Sequence, residues 1–196
     1  MFYIKGMKNN HPIVVLVRGL PGSGKTYLAN RLQESLGKEN VVLLDPDAIN
    51  TDSEEYKEHV RSQIAEGVDK SLHLYRFSRA KAYKGIEDDK IIIWNQPFTN
   101  IDIFNKMVGR LKDHALEFNK KLSILVVEVE IDPDVAKNRI IERKKNGGHG
   151  PSGDIWNQFV NDYKSFSEEG YNTITVRGDG NVSESVMNIE EALKSL

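Results

Sequence analysis

Residues 19–26 read Gly-Leu-Pro-Gly-Ser-Gly-Lys-Thr, which fits the pattern Gly-x4-Gly-Lys-[Ser/Thr] of a phosphate-binding loop, the P-loop. The flanks supply the context that the pattern needs. An apolar run, Ile13 to Val17, leads straight into it, and a helix-compatible stretch from Lys25 to Leu36 follows, with Leu28, Leu32 and Leu36 four apart. A strand, a glycine turn and a helix are thereby fixed in order before any other part of the chain is considered. Glycines allow the backbone to curl until several N–H groups point at one anion, and the start of a helix adds a positive dipole end at the same spot. On this reading Gly19, Pro21, Gly22, Ser23 and Gly24 form the cradle. Lys25 reaches the outer phosphates, and the Thr26 hydroxyl holds Mg²⁺.

Four further strand candidates follow: Val41–Leu44, Ile91–Trp94, Leu122–Ile131 and Thr173–Val176. They are short, apolar and β-branched, as buried parallel strands are. Helical spacings separate them. Tyr56, Val60, Ile64, Val68, Leu72 and Tyr75 recur every three or four residues, with Gly67 as a break. Phe104 to Phe118, Ile155 to Phe166 and Val182 to Leu196 carry similar stripes, and all of these stripes are expected to face the core. Regular alternation of strand and helix predicts an α/β three-layer fold. It is expected to be one domain over residues 13–196, preceded by a loose arm over residues 1–12.

Composition narrows the setting. A formal charge of −2 over 196 residues gives no global field for nucleic acid, and there is no cysteine for disulfides, thiolate nucleophiles or metal thiolates. The N-terminal ten residues carry no long apolar segment of signal-peptide type, and no stretch approaches the ~20 apolar residues of a membrane span. A cytoplasmic setting is the expectation.

Ligands of open α/β sheets bind beyond the carboxyl ends of the strands. Two aspartates, Asp45 and Asp47, end the second strand there. Phosphoryl transfer to a hydroxyl needs a proton acceptor and charge compensation through a metal. Asp47 is assigned as the base and Asp45 as support for Mg²⁺ or its water; the alternative is a solvated turn that caps a helix. The third strand ends in Asn95-Gln96, where many P-loop proteins place an acid; an amide can bond a metal-bound water but supplies no charge. Asp132 and Pro133 start a helix that places Arg139 and Arg143 on one face. Guanidinium groups can grip phosphate oxygens and neutralise transferred charge. Gly147-Gly148-His149-Gly150-Pro151 then has the composition of a lid, taken with the helix as residues 137–153. His149 has no second ligand at metal spacing. Arg177-Gly178-Asp179-Gly180 borders the adenine or is a plain turn.

Three stretches together resemble the P-loop kinases, and most closely their zeta-toxin and polynucleotide-kinase branch of AAA_33 type: Gly19 to Thr26, Leu44-Asp45-Pro46-Asp47-Ala48-Ile49, and Arg139-x3-Arg143-x3-Gly147-Gly148-His149-Gly150-Pro151. The resemblance spans roughly residues 13–167. It implies a five-stranded parallel sheet of order 2-3-1-4-5. It also implies transfer of the γ-phosphoryl group of ATP or GTP to a hydroxyl of a nucleoside, nucleotide or sugar-nucleotide. By the same resemblance Lys25, Asp47, Arg139 and Arg143 are the catalytic set, Arg143 also binding nucleotide, with Thr26 and Asp45 at the metal. Asn50 stands where the branch often has Arg or Lys, and the lid is one residue tighter than His-x-x-Pro. Zeta toxins act on a UDP-amino sugar; this compact chain leaves less room for one, so toxin activity does not follow. Two other readings stay open. One is a 5′-hydroxyl polynucleotide kinase, with a basic track from Arg61, Lys70, Arg76, Arg79, Lys81 and Lys84. The other is a nucleotide-binding module without acceptor chemistry.

Overall fold

A computed structural model describes residues 2–4, 7–9 and 11–196, the first two segments as backbone only. Of the arm expected over residues 1–12, positions 1, 5, 6 and 10 lie outside the described residues. Phe2–Ile4 and Met7–Asn9 pair as a small antiparallel ribbon.

Five strands form one parallel sheet: β1 (Ile13–Arg18), β2 (Val41–Leu44), β3 (Ile91–Asn95), β4 (Ser123–Glu130) and β5 (Thr173–Arg177). Their spatial order is 2-3-1-4-5, as the family resemblance implied. β1 is central, and all six of its residues are buried. A parallel strand covered on both faces has no solvent side, which is why β1 and β3 read as unbroken apolar runs rather than alternating ones.

Residues of β1 divide between two cores. Ile13, Val15 and Val17 meet Leu28, Leu32 and Leu36 of α1 (Lys25–Leu36) and Ile189 and Leu193 of α7 (Val182–Lys194). Val14 and Leu16 face the other way, toward α3 (His73–Glu87) and α4 (Ile101–Glu117), through Ile86, Phe104 and Leu111. Each such fully buried Leu, Ile or Phe contributes on the order of 1.5–3 kcal/mol over exposure. A smaller third cluster, Leu20, Ala136, Ile140 and Trp156, seats α5 (Pro133–Lys145) and α6 (Gly153–Asp162) over the P-loop.

One expectation is corrected. The stripe from Tyr56 to Tyr75 faces the core only in part: Tyr75 packs against it and Tyr56, Val60 and Val68 are half-buried, but Ile64 is 62% exposed and Leu72 45%. α2 (Glu54–Ala65) leans on α3 rather than on the sheet, with Tyr56 and His59 edge-on to Phe77. Only Gln63 of this helix is buried. A helix in an outer layer needs only a narrow contact strip, so Tyr56 and Val60 are half-buried and Ile64 is left in water. Phe118 and Ile155, read as core positions, are likewise exposed. Among the described residues no helix is long and apolar enough to cross a membrane.

Candidate active site

The P-loop is built as its glycines dictate. Gly22 and Gly24 take φ of 82° and 98°, the left-handed region that a side chain resists. A Cβ on Gly22 would also lie 2.4 Å from the Ala136 carbonyl oxygen, so this glycine lets α5 close onto the loop. Gly24 caps α1 without a side-chain hydrogen bond, and no acidic residue occupies the first turn. By contrast α2, α4, α5 and α7 are each capped by a side chain, Ser53, Asn100, Asp132 and Asn181. The first N–H groups of α1 are therefore left for an anion.

Lys25 is buried, and its Nζ donates to the Leu20 carbonyl at 3.1 Å. Burial is the chief cause that lowers its ammonium to about 8; Asp45 and Asp47 pull the other way, and Arg143 adds to the lowering. Behind it the Ser23 hydroxyl is buried with no partner.

Three residues from three elements form a tight polar knot beside the loop. Thr26 Oγ1 lies 3.2 Å from Asp45 Oδ2, and the Asn95 amide donates to both, at 2.8 and 2.7 Å. Asn95 Oδ1 is buried and unpartnered. Asp45 Oδ1 accepts from the Asp47 backbone N–H at 3.1 Å, capping the short turn Pro46–Ala48. The capping alternative raised from sequence is thus realised for Asp45 alongside its contact with Thr26. Asp47 is different: its side chain is exposed, faces the cavity, and makes no hydrogen bond among the described residues. The knot suits a hard cation. Mg²⁺ takes one or two carboxylates, a hydroxyl and otherwise water and phosphate oxygens, and Thr26 Oγ1 with Asp45 Oδ2 is a donor pair of that kind.

Arg139 lies across the other rim. Its Nη1 donates to the Gly178 carbonyl at 3.0 Å and approaches Gly22 O at 3.5 Å. Gly178 is pressed against the loop, since a Cβ there would fall 2.0 Å from Ser23 O. A hollow of about 320 Å³ lies beside it, lined among others by Gly24, Tyr27, Arg139, Arg177 and Asp179. Arg177 is tied to Asp179 by two 3.0 Å bonds. Arg143 is exposed, and its guanidinium makes no hydrogen bond among the described residues. The glycine-rich stretch folds back on α5: Gly148 N–H donates to Arg143 O, and Lys144 Nζ to Pro151 O at 2.7 Å.

One cavity of about 1090 Å³ joins these parts. Pro21, Gly22, Gly24, Lys25 and Thr26, the two aspartates, Asn95, Arg139, Arg143 and His149 all border it. Gly19 and Ser23 do not; they shape the loop from beneath, where a Cβ on Gly19 would sit 2.7 Å from Val129 O.

A buried pair that the sequence reading passed over supports the far wall. Arg18 and Glu128 are register partners on β1 and β4, both essentially inaccessible and joined by a salt bridge. Arg18 also donates through Nε and Nη2 to the Phe98 carbonyl, and its guanidinium lies 3.6 Å over the Phe166 ring and 4.3 Å over Tyr163. Glu128 accepts from Phe166 N and the Ser165 hydroxyl. Phe98 has φ 47°, an uncommon region for an aromatic residue, and it borders the cavity. The available signal was a charge inside two apolar strands, at the same distance from the sheet edge.

The basic track proposed from sequence is largely neutralised. Arg61 pairs with Glu58, Arg76 with Glu66, Lys81 with Glu55 and Lys84 with Asp88.

These features define a P-loop kinase fold. Residues 14–163 match the AAA_33 family, described as AAA domain, and the chain belongs to that family. No curated protein matches it in sequence. Among solved structures it is similar to a gluconokinase from Sinorhizobium meliloti 1021, at 15% identity and TM-score 0.56, covering 95% of this chain and 94% of that one. A deoxyadenosine kinase from M. mycoides with bound dATP gives 16% and 0.55, with 92% and 98% covered. A structure from the PezAT toxin-antitoxin system of Streptococcus pneumoniae gives 15% and 0.60, with 97% and 89% covered.

Proposed function

We propose that the protein is a magnesium-dependent phosphotransferase that moves the γ-phosphoryl group of ATP or GTP to a hydroxyl of a small molecule. One observation carries the reading: a single cavity is bordered by the P-loop, by Asp47 with an uncommitted carboxylate, by Arg143, and by a second wing beyond them that can hold an acceptor. The kinase relatives of the same fold are consistent with it. The N–H groups of residues 22–26 and Lys25 hold the outer phosphates. Thr26 and Asp45 would hold Mg²⁺, which when bound supplies charge neutralisation at the phosphate oxygens. Asp47 accepts the proton of the attacking hydroxyl as the new O–P bond forms and the bond to the nucleoside diphosphate breaks. Arg139 and Arg143 face the charge that moves onto the leaving phosphate. The hollow beside Gly178 is the place for the base. A reaction that draws on nucleoside triphosphate belongs in the cytoplasm.

A second reading has its own support. Asn95 occupies both oxygens that a cation would use, and it stands where an acid is usual; this favours a nucleotide-binding module. The substitution Asp47→Asn separates the two. Under the enzyme reading, nucleotide affinity stays within a few-fold while transfer to the acceptor falls by ~10²–10⁴, the span of a general base. Unchanged transfer removes Asp47 from the mechanism. Nucleotide binding with no transfer by the unsubstituted protein to any component of a metabolite extract selects the module.

A further inference from the structure

The two ends of the large cavity differ in charge, and the difference bears on the acceptor. Every charged side chain on its lining, and its one histidine, belongs to the phosphate end: Lys25, Asp45, Asp47, Arg139, Arg143 and His149. The other end is walled by Leu74 and Tyr75 of α3 and by Phe98, Ile103, Phe104 and Met107. No lysine, arginine or histidine lines it. Phe104 and Met107 belong to the packed core behind this wall, but Ile103 is 63% exposed and Leu74 37%, so these two present apolar surface outward. Phe98 stands edge-on to Phe104 at 5.4 Å and is held there by the Arg18 guanidinium on its carbonyl, so the aromatic wall is set in advance. The polar groups among these walls are neutral: Thr51, Gln96, Thr99 and Asn100.

We infer that the acceptor is an uncharged alcohol with an apolar, ring-bearing body. This inference rests on the phosphotransferase reading and narrows it. The ring packs on the surface that Leu74, Tyr75, Phe98 and Ile103 present, neutral amides and hydroxyls bond its edges, and its hydroxyl points to Asp47. A phosphate or carboxylate on the acceptor would enter an apolar wing without a cation and would approach Asp45 and Asp47, a like-charge contact. Arg18 reaches the wing only from behind, through the Phe98 carbonyl, and Arg76, Arg79 and Arg110 line a separate hollow of about 440 Å³ that shares Tyr75 with the cavity. Arg76 is paired with Glu66, and the Arg79 guanidinium sits over the Tyr75 and Tyr83 rings.

The test uses the whole chain with γ-labelled ATP and Mg²⁺. A metabolite extract is split on an anion exchanger at neutral pH into unretained and retained pools, and nucleosides are run beside their 5′-monophosphates. Labelled product is expected from the unretained pool or the nucleosides, at least ~100-fold faster than from the anionic counterparts, because like-charge juxtaposition and an unpaired buried anion discriminate strongly. Ile103→Lys is expected to lower that transfer about tenfold or more, because it replaces apolar surface under the acceptor body with an ammonium, while nucleotide affinity holds. Preferential labelling of the retained pool or of a monophosphate overturns the inference and leaves the phosphotransferase reading standing; the Arg79 hollow would then be the anion site. Nucleotide binding without labelling of either pool removes both.

Discussion

Arg18 and Arg143 approach the same edge of the sheet and do opposite things with their charge. Arg18 is fully buried, its guanidinium matched by Glu128, two bonds to the Phe98 carbonyl and two aromatic faces. Arg143 is exposed, borders the cavity, and its guanidinium has no hydrogen bond among the described residues. Taking a guanidinium out of water is costly unless every donor finds a partner, so a buried arginine has its charge committed to the scaffold. An arginine left in water keeps its donors for a ligand. The contrast teaches that charge in this fold is divided by burial: matched under the aromatic wall, uncommitted where it borders the P-loop cavity.

Breaking the scaffold pair gives the largest expected effect. Arg18→Met leaves Glu128 buried and unpaired and should destabilise the protein by about 3–5 kcal/mol, read from urea unfolding. A loss below 1 kcal/mol would mean that the pair is solvated in solution. Arg143→Ala should leave stability within about 0.5 kcal/mol, as an exposed substitution does, yet lower kcat by ~10²–10³ with little change in nucleotide affinity. Loss in KM alone would make Arg143 a binding residue only.

Lys25 stands between these extremes, buried yet bordering the cavity, and pH exposes its position. In the nucleotide-free protein its ammonium is held near about 8, below the ordinary 10.5. Between those values the unfolded chain binds more protons than the folded one, so stability rises with pH across that window and is insensitive to this group below it. The difference between the unsubstituted protein and Lys25→Met in urea midpoint should therefore shift in favour of the lysine as pH goes from about 8 to about 10.5. A flat difference would place the ammonium in water. The smallest effect is expected at the exposed stripe of α2: Ile64→Ser should change stability by no more than about 0.5 kcal/mol, whereas a core position would lose several times that.

Much of this was legible in the chain. The eight residues from Gly19, with an apolar run before and a leucine-spaced helix after, dictate strand, loop and helix because only that geometry satisfies both the glycines and the hydrophobic periods. Asp132-Pro133 is a helix start wherever it is placed, and α5 begins there. The error at Ile64 and Leu72 has a plain cause: a 3.6-residue period says that a helix has an apolar face, not that a sheet lies beneath it. Arg18 and Glu128 escaped because a charge at the end of β1 resembles a solvated terminus, and one inside β4 shows no counter-charge, until the two strands are known to be neighbours.

By itself, then, the sequence determined the order of strands and helices, the curled loop, its lysine and threonine, and the presence of aspartates and arginines near the carboxyl edge, since those follow from local backbone chemistry and side-chain periodicity. Only the tertiary structure decided that Asp45 joins Thr26 and Asn95 while Asp47 stays uncommitted, that Arg18 meets Glu128 across β1 and β4, and that the wing from Leu74 to Met107 carries no charge. Those are pairings between residues tens of positions apart, and such contacts are set by packing of elements against each other, which no local pattern encodes.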